Sequence, residues 1–423
     1  MTRRIESKLP DVGTTIFTVM SQLAADNGAI NLSQGFPSFE PPDELRERVH
    51  YHLNNGANQY APMTGVPALT EAIATKTERV QGKTVDAALQ VTVCCGATEG
   101  LFSAIQALVR PGDEVIVFDP AYDSYAPAVT LAGGTTRHIP LLIDAATLDF
   151  SIDWQQLADT LNSNTRLIIL NFPHNPTGAI LHRDDLDRLA DIIRDNDCYL
   201  LSDEVYEHIV FDGVAHLSLL SHDELWARSL VISSFGKTFH TTGWKIGYCI
   251  APTELSAEFR KVHQFTTFAI STPVQHAIAD FLESDPEFYE RLADFYQAKR
   301  DHFCQLLEPS RFQFRPARST FFQILDYSGI SDARDTELAR QWTKEIGVAS
   351  IPLSVFCAQN VTGKRLRFCF AKDDVTLEAA AKKLCARVRP FPAERRSVHQ
   401  GSRWWSYRPR QKQASARYLF HDE

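Results

Sequence analysis

The stretch Ser233-Ser-Phe-Gly-Lys-Thr-Phe-His-Thr-Thr-Gly-Trp-Lys-Ile-Gly-Tyr248 joins two apolar runs, at 229–233 and 247–251. Both runs are hydrophobic almost without interruption, which is typical of strands buried on both faces of a sheet. Lys237 therefore follows the carboxyl end of a buried strand. Gly236 and Thr238 beside it suggest a phosphate-binding P-loop, but that motif needs glycine at 231, where Val231 stands. By itself, a lysine such as Lys237 after a strand is most often a surface cation.

Similar apolar runs precede this stretch and alternate with segments of helical periodicity. The runs lie at 90–94, 114–118, 166–170 and 198–201, and the clearest amphipathic segment is 183–195. Alternating strands and helices predict an α/β fold with a mainly parallel sheet. Ligands bind such sheets outside the carboxyl ends of the strands, so the residues that follow each run carry the most information.

Chemically capable groups follow these runs at one predicted edge of the sheet. The turn at 96–100 is rich in glycine and opens a helix, whose free N–H groups and dipole suit a phosphate. Asp203, Asn175 and Tyr122 also follow these runs. Each of them has a purely structural interpretation as well: Asp203 as a helix N-cap, Asn175 as a turn residue and Tyr122 as a core tyrosine. Together, however, a lysine amine, a phosphate nest, a carboxylate and an aromatic ring are the parts of a pyridoxal phosphate site.

At this point the chain, over residues of about 8–386, resembles the class I, fold-type I pyridoxal-phosphate aminotransferases. It is most similar to the methionine aminotransferases of the kynurenine/glutamine aminotransferase group. The matching stretches, in family order, are Asn31-Leu-Ser-Gln-Gly-Phe-Pro37, Asn58-Gln-Tyr-Ala-Pro-Met-Thr-Gly65, Gly96-Ala-Thr-Glu-Gly100, Asn175-Pro-Thr-Gly178, Ser202-Asp-Glu-Val-Tyr206, the stretch 233–248 and Arg367-Phe-Cys-Phe-Ala-Lys372.

The resemblance implies roles for the residues around the cofactor, pyridoxal 5′-phosphate. Lys237 would hold it as an aldimine and later move the proton between the substrate Cα and the cofactor. Asp203 would pair with the pyridine nitrogen and keep it protonated. Tyr206 and Asn175 would donate hydrogen bonds to the phenolic oxygen, and Tyr122 would stack on the ring.

The resemblance also implies a phosphate cradle and a homodimer with shared active sites. Ala97 and Thr98 would bind the phosphate at a helix start, with Ser234 and Lys245 completing the cradle. Lys245 stands where the family often has arginine, so the phosphate would meet a point charge rather than a bidentate fork. Tyr60 would reach the phosphate of the neighbouring subunit.

For the substrate, the resemblance assigns the α-carboxylate to Arg367 and to the backbone of Gly35, with Asn175 nearby. In isolation, Arg367 would more often be a solvated charge at a strand edge. Phe17 and three further aromatic residues, Phe36, Phe265 and Phe268, lie in or near the matching stretches, where plain core packing is the alternative. Together they predict a pocket for methionine first, then phenylalanine, other aromatic residues, glutamine or kynurenine.

The domain organisation that the resemblance implies has two parts and a tail. Residues 41–285 would form the large cofactor domain; 1–40 and 286–386 would form an arm and a small domain, with a helical connector over 285–307. Residues 387–423 carry nine Lys/Arg and three Asp/Glu, a net charge of +6 that leaves −15 for the rest of the chain. This tail has neither helical nor strand periodicity and is predicted to be disordered.

Composition and charge argue against several other classes of protein. The 423 residues carry a net charge of −9, which argues against a general nucleic-acid binder, and no apolar run is long enough for a membrane span. The eight cysteines form no C-x-x-C pair, so no metal site is expected. The first ten residues lack the apolar core of a secretory signal, which predicts a cytoplasmic protein. A carbon–sulfur β-lyase of the same fold and a cofactor-binding sensor without turnover remain as alternatives.

Overall fold

The computed structural model describes residues 6–359 and 363–387. Its helices are α1 Ile16–Asp26, α2 Asp43–Asn54, α3 Pro67–Gln81, α4 Gly96–Leu108, α5 Tyr125–Ala132, α6 Trp154–Thr160, α7 Arg183–Ile193, α8 Asp223–Trp226, α9 Phe235–Thr238, α10 Thr253–Thr266, α11 Thr272–Ser284, α12 Leu292–Leu307, α13 Asp335–Glu345 and α14 Asp374–Arg387. Its strands are β1 Ile30–Asn31, β2 Val91–Cys94, β3 Glu114–Asp119, β4 Thr135–Pro140, β5 Leu142–Ile143, β6 Phe150–Ser151, β7 Thr165–Asn171, β8 Tyr199–Asp203, β9 Ser229–Ser234, β10 Gly247–Ile250, β11 Phe322–Asp326, β12 Val348–Ala349, β13 Ile351–Pro352 and β14 Arg365–Cys369.

A seven-stranded sheet in the order β2-β10-β9-β8-β7-β3-β4 forms the centre of the fold. Neighbouring strands from β9 to β4 run parallel, and only β10 runs antiparallel to both of its neighbours. This arrangement confirms the predicted α/β class with a mainly parallel sheet.

The strands are apolar on both faces because helices cover both faces. Val115 and Val117 of β3 pack into a cluster with residues of α4, α5 and α10. Ile116 and Phe118 alternate with them and belong to a second cluster on the other side of the sheet. β4 was not predicted because, at the edge of the sheet, it alternates between exposed and covered residues.

The two ends of the described chain meet in smaller sheets. β1 pairs in parallel with β12, which joins residues 30–31 to residues 348–349. β14 pairs antiparallel with β11 and β13. The small domain built from both ends of the chain, with boundaries at 41, 286 and 386, stays a prediction.

The predicted helical connector over 285–307 is wrong in its first part. α11 ends at Ser284, and the next long helix, α12, begins only at Leu292. The break falls at Asp285, because the residue before Pro286 avoids the α region and proline cannot donate a helical hydrogen bond. The basic tail lies outside the described residues, apart from the backbone of Arg387 at the end of α14.

Candidate active site

A cavity of about 210 Å³ lies at the carboxyl ends of the central strands. Its lining residues lie at or just beyond the ends of β2, β3, β7, β8 and β9. This is expected, because the carboxyl ends of parallel strands meet at one edge of the sheet. The lining comprises Gly96, Ala97, Thr98, Leu101, Tyr122, Asn171, Asn175, Asp203, Val205, Tyr206, Ser234, Gly236, Lys237, Thr242 and Lys245. Nine of these residues were predicted from the sequence as cofactor ligands.

Lys237 enters the cavity from the short helix α9. Ser234 caps this helix, since its Oγ accepts a hydrogen bond from the Gly236 amide at 3.2 Å. The Lys237 Nζ donates a hydrogen bond to the carbonyl oxygen of Gly35 at 2.9 Å. Burial lowers the pKa of the Lys237 amine to about 8. A larger share of this amine is therefore neutral and nucleophilic near neutral pH than of an ordinary lysine.

Asp203 ends β8 at the floor of the cavity and is only 4% exposed. Its carboxylate accepts a short hydrogen bond of 2.6 Å from the Tyr125 hydroxyl and a longer one of 3.4 Å from the Val205 amide. Burial raises the pKa of Asp203 to about 6, although these hydrogen bonds act in the opposite direction. A buried carboxylate that no described cation pairs with is suited to a cationic ligand group, such as a protonated pyridine nitrogen.

The start of α4 offers free hydrogen-bond donors. In the described residues, the amides of Gly96, Ala97 and Thr98 have no hydrogen-bond acceptor. A Cβ added to Gly96, whose φ is +67°, would lie 3.2 Å from the Lys245 Nζ, so the lysine amine sits directly over this turn. Three amides and one amine around a helix start form a cradle for a phosphate.

Tyr206 and Asn175, which were both predicted as cofactor ligands, line the same cavity as Lys237 and Asp203. Tyr206 is 2% exposed, and its ring centroid lies 5.6 Å from the Lys237 Nζ. The Asn175 amide donates to the Asn171 side chain at 3.0 Å, which fixes the turn after β7. Tyr122 also lines the cavity, and its hydroxyl lies 3.4 Å from the Thr98 hydroxyl. Burial raises the pKa of the Tyr122 hydroxyl.

Arg367, on β14, adjoins this cavity and is 1% exposed. Its two terminal nitrogens donate to the Asn175 side-chain oxygen at 3.0 Å and to the Ser33 carbonyl at 2.9 Å, while the buried Nε has no partner. Burial lowers the pKa of the guanidinium to about 10. In the described part of the chain no carboxylate forms a salt bridge with Arg367, so a carboxylate ligand would complete its hydrogen bonding.

Aromatic rings surround the Arg367 guanidinium. The Phe322, Phe17 and Phe356 ring centroids lie 4.0, 5.3 and 5.5 Å from its central carbon. Gly35 packs against the ring of Phe322. A side chain at this position would be too close, because a Cβ would approach Phe322 Cζ to 2.8 Å. The N-terminal segment thus passes close over Arg367 at a residue without a side chain.

Some predicted residues lie elsewhere. Tyr60 is 83% exposed and packs edge-on against Phe268 at 5.4 Å, away from the cavity of its own chain. Phe265 and Phe268 are exposed at the end of α10, so the core-packing interpretation of both is wrong. Phe36 is 44% exposed, and its ring centroid lies 4.6 Å from the Lys372 amine.

Among the residues that the structure places at the site, the sequence did not identify Tyr125, Asn171, Thr242, Phe322 and Phe356. Tyr125 stands at the start of α5, where a buried tyrosine looks like ordinary core. Asn171 could have been found, because it stands at the end of the apolar run that forms β7. In the structure its side chain donates to the Asp203 carbonyl at 2.9 Å. Phe356 lies in a short 3-10 turn without any periodicity.

The donor set fits pyridoxal 5′-phosphate. A buried carboxylate without a cation, an amine with a lowered pKa and three free amides at a helix start match the ring nitrogen, the aldehyde and the phosphate of that molecule. In the same described residues, no group of three or more histidine, cysteine or acidic side chains could hold a metal ion. Within residues 6–359 and 363–387, no helix has both the length and the apolar character that crossing a membrane requires.

The chain belongs to the family of class I and II aminotransferases, whose members depend on pyridoxal phosphate. The sequence pattern of that family matches residues 27–384. This match, together with the fold, confirms the resemblance and the fold-type I assignment, and it identifies the protein as an aminotransferase.

Individual relatives support the same conclusion. The chain is 52% identical to the methionine aminotransferase of Escherichia coli over 90% of its own length and 97% of the relative. It is 35% identical to human kynurenine–oxoglutarate transaminase 3, over 88% of each chain. Both relatives are named as amino-group transferases, and neither name indicates a lyase.

Solved structures agree with the sequence relatives. A crystal structure of an Escherichia coli protein identified as a methionine aminotransferase matches with a TM-score of 0.88 and 52% identity, over 91% of this chain and all of the other. The N-succinyldiaminopimelate aminotransferase of Mycobacterium tuberculosis also reaches a TM-score of 0.88, at 36% identity and the same coverage.

Proposed function

We propose that this aminotransferase takes its amino group from methionine and from other apolar or aromatic amino acids, and passes it to a 2-oxo acid with pyridoxal 5′-phosphate as cofactor. The observation that carries the donor preference is the ring of Phe17, Phe322 and Phe356 around the Arg367 guanidinium. The likeness to a methionine aminotransferase at 52% identity supports the same donor.

The bound cofactor would supply a carbonyl that takes up the amino group and a ring that accepts the electron pair of the substrate Cα. Lys237 would hold the cofactor and then, as a free amine, move the proton between Cα and the cofactor. Asp203 would keep the ring nitrogen protonated, with Tyr125 orienting the carboxylate. The Tyr206 and Asn175 side chains would hydrogen-bond to the phenolic oxygen, and Tyr122 would cover the ring face.

The phosphate would bind at the start of α4, to the free amides of Ala97 and Thr98, with the Lys245 amine and Ser234 beside it. These groups fix one end of the cofactor, while Lys237 and Asp203 fix the reacting ring. These donors lie on α4 and on the β9–β10 connection, which would hold them in position for the phosphate.

Arg367 would bind the substrate α-carboxylate through both terminal nitrogens and orient the Cα hydrogen toward Lys237. The substrate side chain would then lie among the aromatic rings. An acidic side chain is disfavoured there for two reasons: its charge would lose hydration among apolar rings, and Asp123 adds a like charge near Arg367. Burial raises the pKa of Asp123 itself, while the charge of Arg367 acts in the opposite direction.

A homodimer is part of the proposal. Tyr60, Phe265 and Phe268 form an exposed aromatic cluster at the end of α10, and two of these rings pack against each other. Burying such a cluster against a second copy of the chain would be favourable, and it would bring Tyr60 toward the partner's phosphate site. The cytoplasmic location and the disordered tail stay predictions from the sequence.

The decisive experiment compares methionine with aspartate as donor, at equal concentration and with one common 2-oxo-acid acceptor. We expect kcat/KM for methionine to exceed that for aspartate at least about a hundredfold, which corresponds to about 2.7 kcal/mol of transition-state binding. Phenylalanine should lie between the two. Equal or faster use of aspartate would refute the proposed donor class. Release of ammonia in place of amino transfer would indicate the lyase.

A further inference from the structure

A buried histidine lies behind the phosphate cradle, although neither the motifs nor the proposed mechanism uses it. His263, on α10, is 0% exposed, and both of its ring nitrogens are within hydrogen-bond distance of oxygen atoms. Nδ1 lies 2.9 Å from Glu99 Oε1, and Nε2 lies 3.2 Å from the Met63 carbonyl oxygen. Glu99 belongs to the first turn of α4, the helix whose start forms the cradle.

Both ring nitrogens of His263 face atoms that accept hydrogen bonds. A carbonyl oxygen only accepts hydrogen bonds, so Nε2 must carry a proton. An ionised carboxylate also only accepts, so Nδ1 must carry one as well. Burial raises the pKa of Glu99, but the hydrogen bond and charge of His263 and the hydrogen bond from Ser103 lower it further, to below its usual value. The two contacts therefore suit an imidazolium that faces a carboxylate.

Glu99 has a defined task at the helix start. Its Oε2 accepts the Cys95 amide at 3.0 Å, and its Oε1 accepts the Ser103 hydroxyl at 2.6 Å. The carboxylate thereby accepts the hydrogen bond of the Cys95 amide, which precedes α4. The amides of Gly96, Ala97 and Thr98 stay available for a ligand. It also places a negative charge within one helical turn of the site where a phosphate dianion is proposed to bind.

That placement is unfavourable without a counter-charge, because like charges repel strongly where little water screens them. Arg260, one turn earlier on α10, does not supply it: its guanidinium donates to the Ala88 and Val91 carbonyls and to the Thr92 hydroxyl. Lys245 lies over Gly96 on the ligand side of the turn. In the described residues, His263 is the basic side chain that contacts Glu99 directly.

We propose that His263 is a buried counter-charge that neutralises Glu99 and so allows the start of α4 to bind a phosphate dianion. The inference rests on the proposed cofactor and assigns His263 a positioning and electrostatic role without contact to the ligand. The Met63 hydrogen bond adds a link to the loop that carries Tyr60, and the stacked Phe259 ring, at 5.8 Å, keeps the imidazolium shielded from water.

The test is a double-mutant cycle of His263→Asn and Glu99→Gln. Asparagine keeps a donor near the Nδ1 position but removes the charge. We expect His263→Asn to weaken the binding of pyridoxal phosphate, and of inorganic phosphate as its competitor, about tenfold, because Glu99 is then unpaired. Glu99→Gln and the double variant should both stay within about threefold of the wild type, since neither leaves an uncompensated carboxylate.

Affinities are measured by equilibrium dialysis of the full-length enzyme, with the exposed His50→Asn as the matched control. A double variant as weak as His263→Asn alone would show a merely structural role and overturn the inference. So would unchanged binding in His263→Asn. Wild-type protein that binds no pyridoxal phosphate would instead refute the proposed function.

A second measurement applies if His263→Asn does not fold. Nitrogen NMR of histidine-labelled wild-type holoenzyme at pH 7 should show a histidine with both ring nitrogens protonated, and this signal should change in Glu99→Gln. A wild-type spectrum without a doubly protonated histidine would overturn the inference.

Discussion

The Tyr125 hydroxyl lies 2.6 Å from the Asp203 carboxylate, which makes this tyrosine the nearest donor to the proposed partner of the cofactor ring. Tyr125 is 3% exposed and stands at the start of α5, so the hydrogen bond is shielded from water. A hydrogen bond to a charged group in such a place favours the ionised carboxylate by about 1.5–3 kcal/mol.

The first prediction concerns this hydrogen bond. Tyr125→Phe should lower kcat about tenfold, because a carboxylate that is harder to ionise holds the proton of the pyridine nitrogen less well. Steady-state kinetics with methionine would measure it. Tyr296→Phe is the matched control, since the Tyr296 hydroxyl is equally buried but has no hydrogen-bond partner in the described chain. Similar losses in both variants would contradict the assigned role.

The second prediction concerns stability and pH in the cofactor-free protein. Asp203 has a pKa of about 6 in the fold and an ordinary value of 3.8, so the folded state holds its proton more tightly than the unfolded state. Stability from this group is present at low pH and is lost as the pH rises from about 4 through about 6. Above that range the ionised group costs about 3 kcal/mol.

Asp203→Asn should therefore raise the unfolding midpoint of the cofactor-free protein at pH 8 and raise it progressively less toward pH 5. The exposed Asp26→Asn serves as control. In the cofactor-loaded enzyme the sign should reverse, because the carboxylate then pairs with a cation. Thermal unfolding at both pH values, with and without cofactor, gives the four midpoints. A stabilisation that does not depend on pH would argue against the buried charge.

The third prediction concerns the Lys237 amine. Its pKa is lowered to about 8, so the rate at which cofactor-free protein reacts with pyridoxal phosphate should rise up to about pH 8 and level off above it. Visible absorbance of the bound cofactor follows this reaction. An ordinary lysine would show a rise that continues toward pH 10.

The fourth prediction concerns replacement of the same lysine. Lys237→Ala should still bind pyridoxal phosphate through the other ligands but transfer amino groups about a thousandfold more slowly or worse. Single-turnover measurements with methionine would show it, and Lys237→Arg should behave alike because it lacks a free amine. Wild-type rates in either variant would show that another group carries out the chemistry.

The fifth prediction concerns the close contact at Gly35. Gly35→Ala should raise the KM for methionine about tenfold, because its Cβ would meet Phe322 at 2.8 Å and lift the N-terminal segment from Arg367. Gly13→Ala is the control, since a Cβ there meets nothing within 4 Å. An unchanged KM would mean that Phe322 moves aside without affecting Arg367.

The sequence predicted the part of the site that follows from sheet geometry. Lys237, Asp203 and Asn175 each follow an apolar run, and parallel strands bring such positions to one edge whatever the loops do. Arg367 was found only through the resemblance, because an arginine in a short antiparallel strand has no distinguishing pattern.

What could not be predicted depends on packing between distant segments. Tyr125 and Phe356 reach the site from positions that look like core or loop. The exposure of Phe265 shows the converse, because an aromatic residue in a helical segment is expected to be buried. The helical pattern around Pro286 predicts one continuous helix, but proline interrupts it, and α12 begins only at Leu292.

The pairing of β1 with β12 has a consequence for how donor preference changes between relatives. The proposed cofactor ligands of a single chain fall within residues 97–245, whereas Phe17, Gly35, Phe322, Phe356 and Arg367 come from the two ends of the described chain and meet through β1, β12 and β14. Substitutions in the terminal segments can therefore reshape the donor pocket while the cofactor ligands stay unaltered. Evolution can then tune the proposed chemistry and the proposed specificity separately, and this chain aligns along most of its length with relatives named for methionine, kynurenine and N-succinyldiaminopimelate.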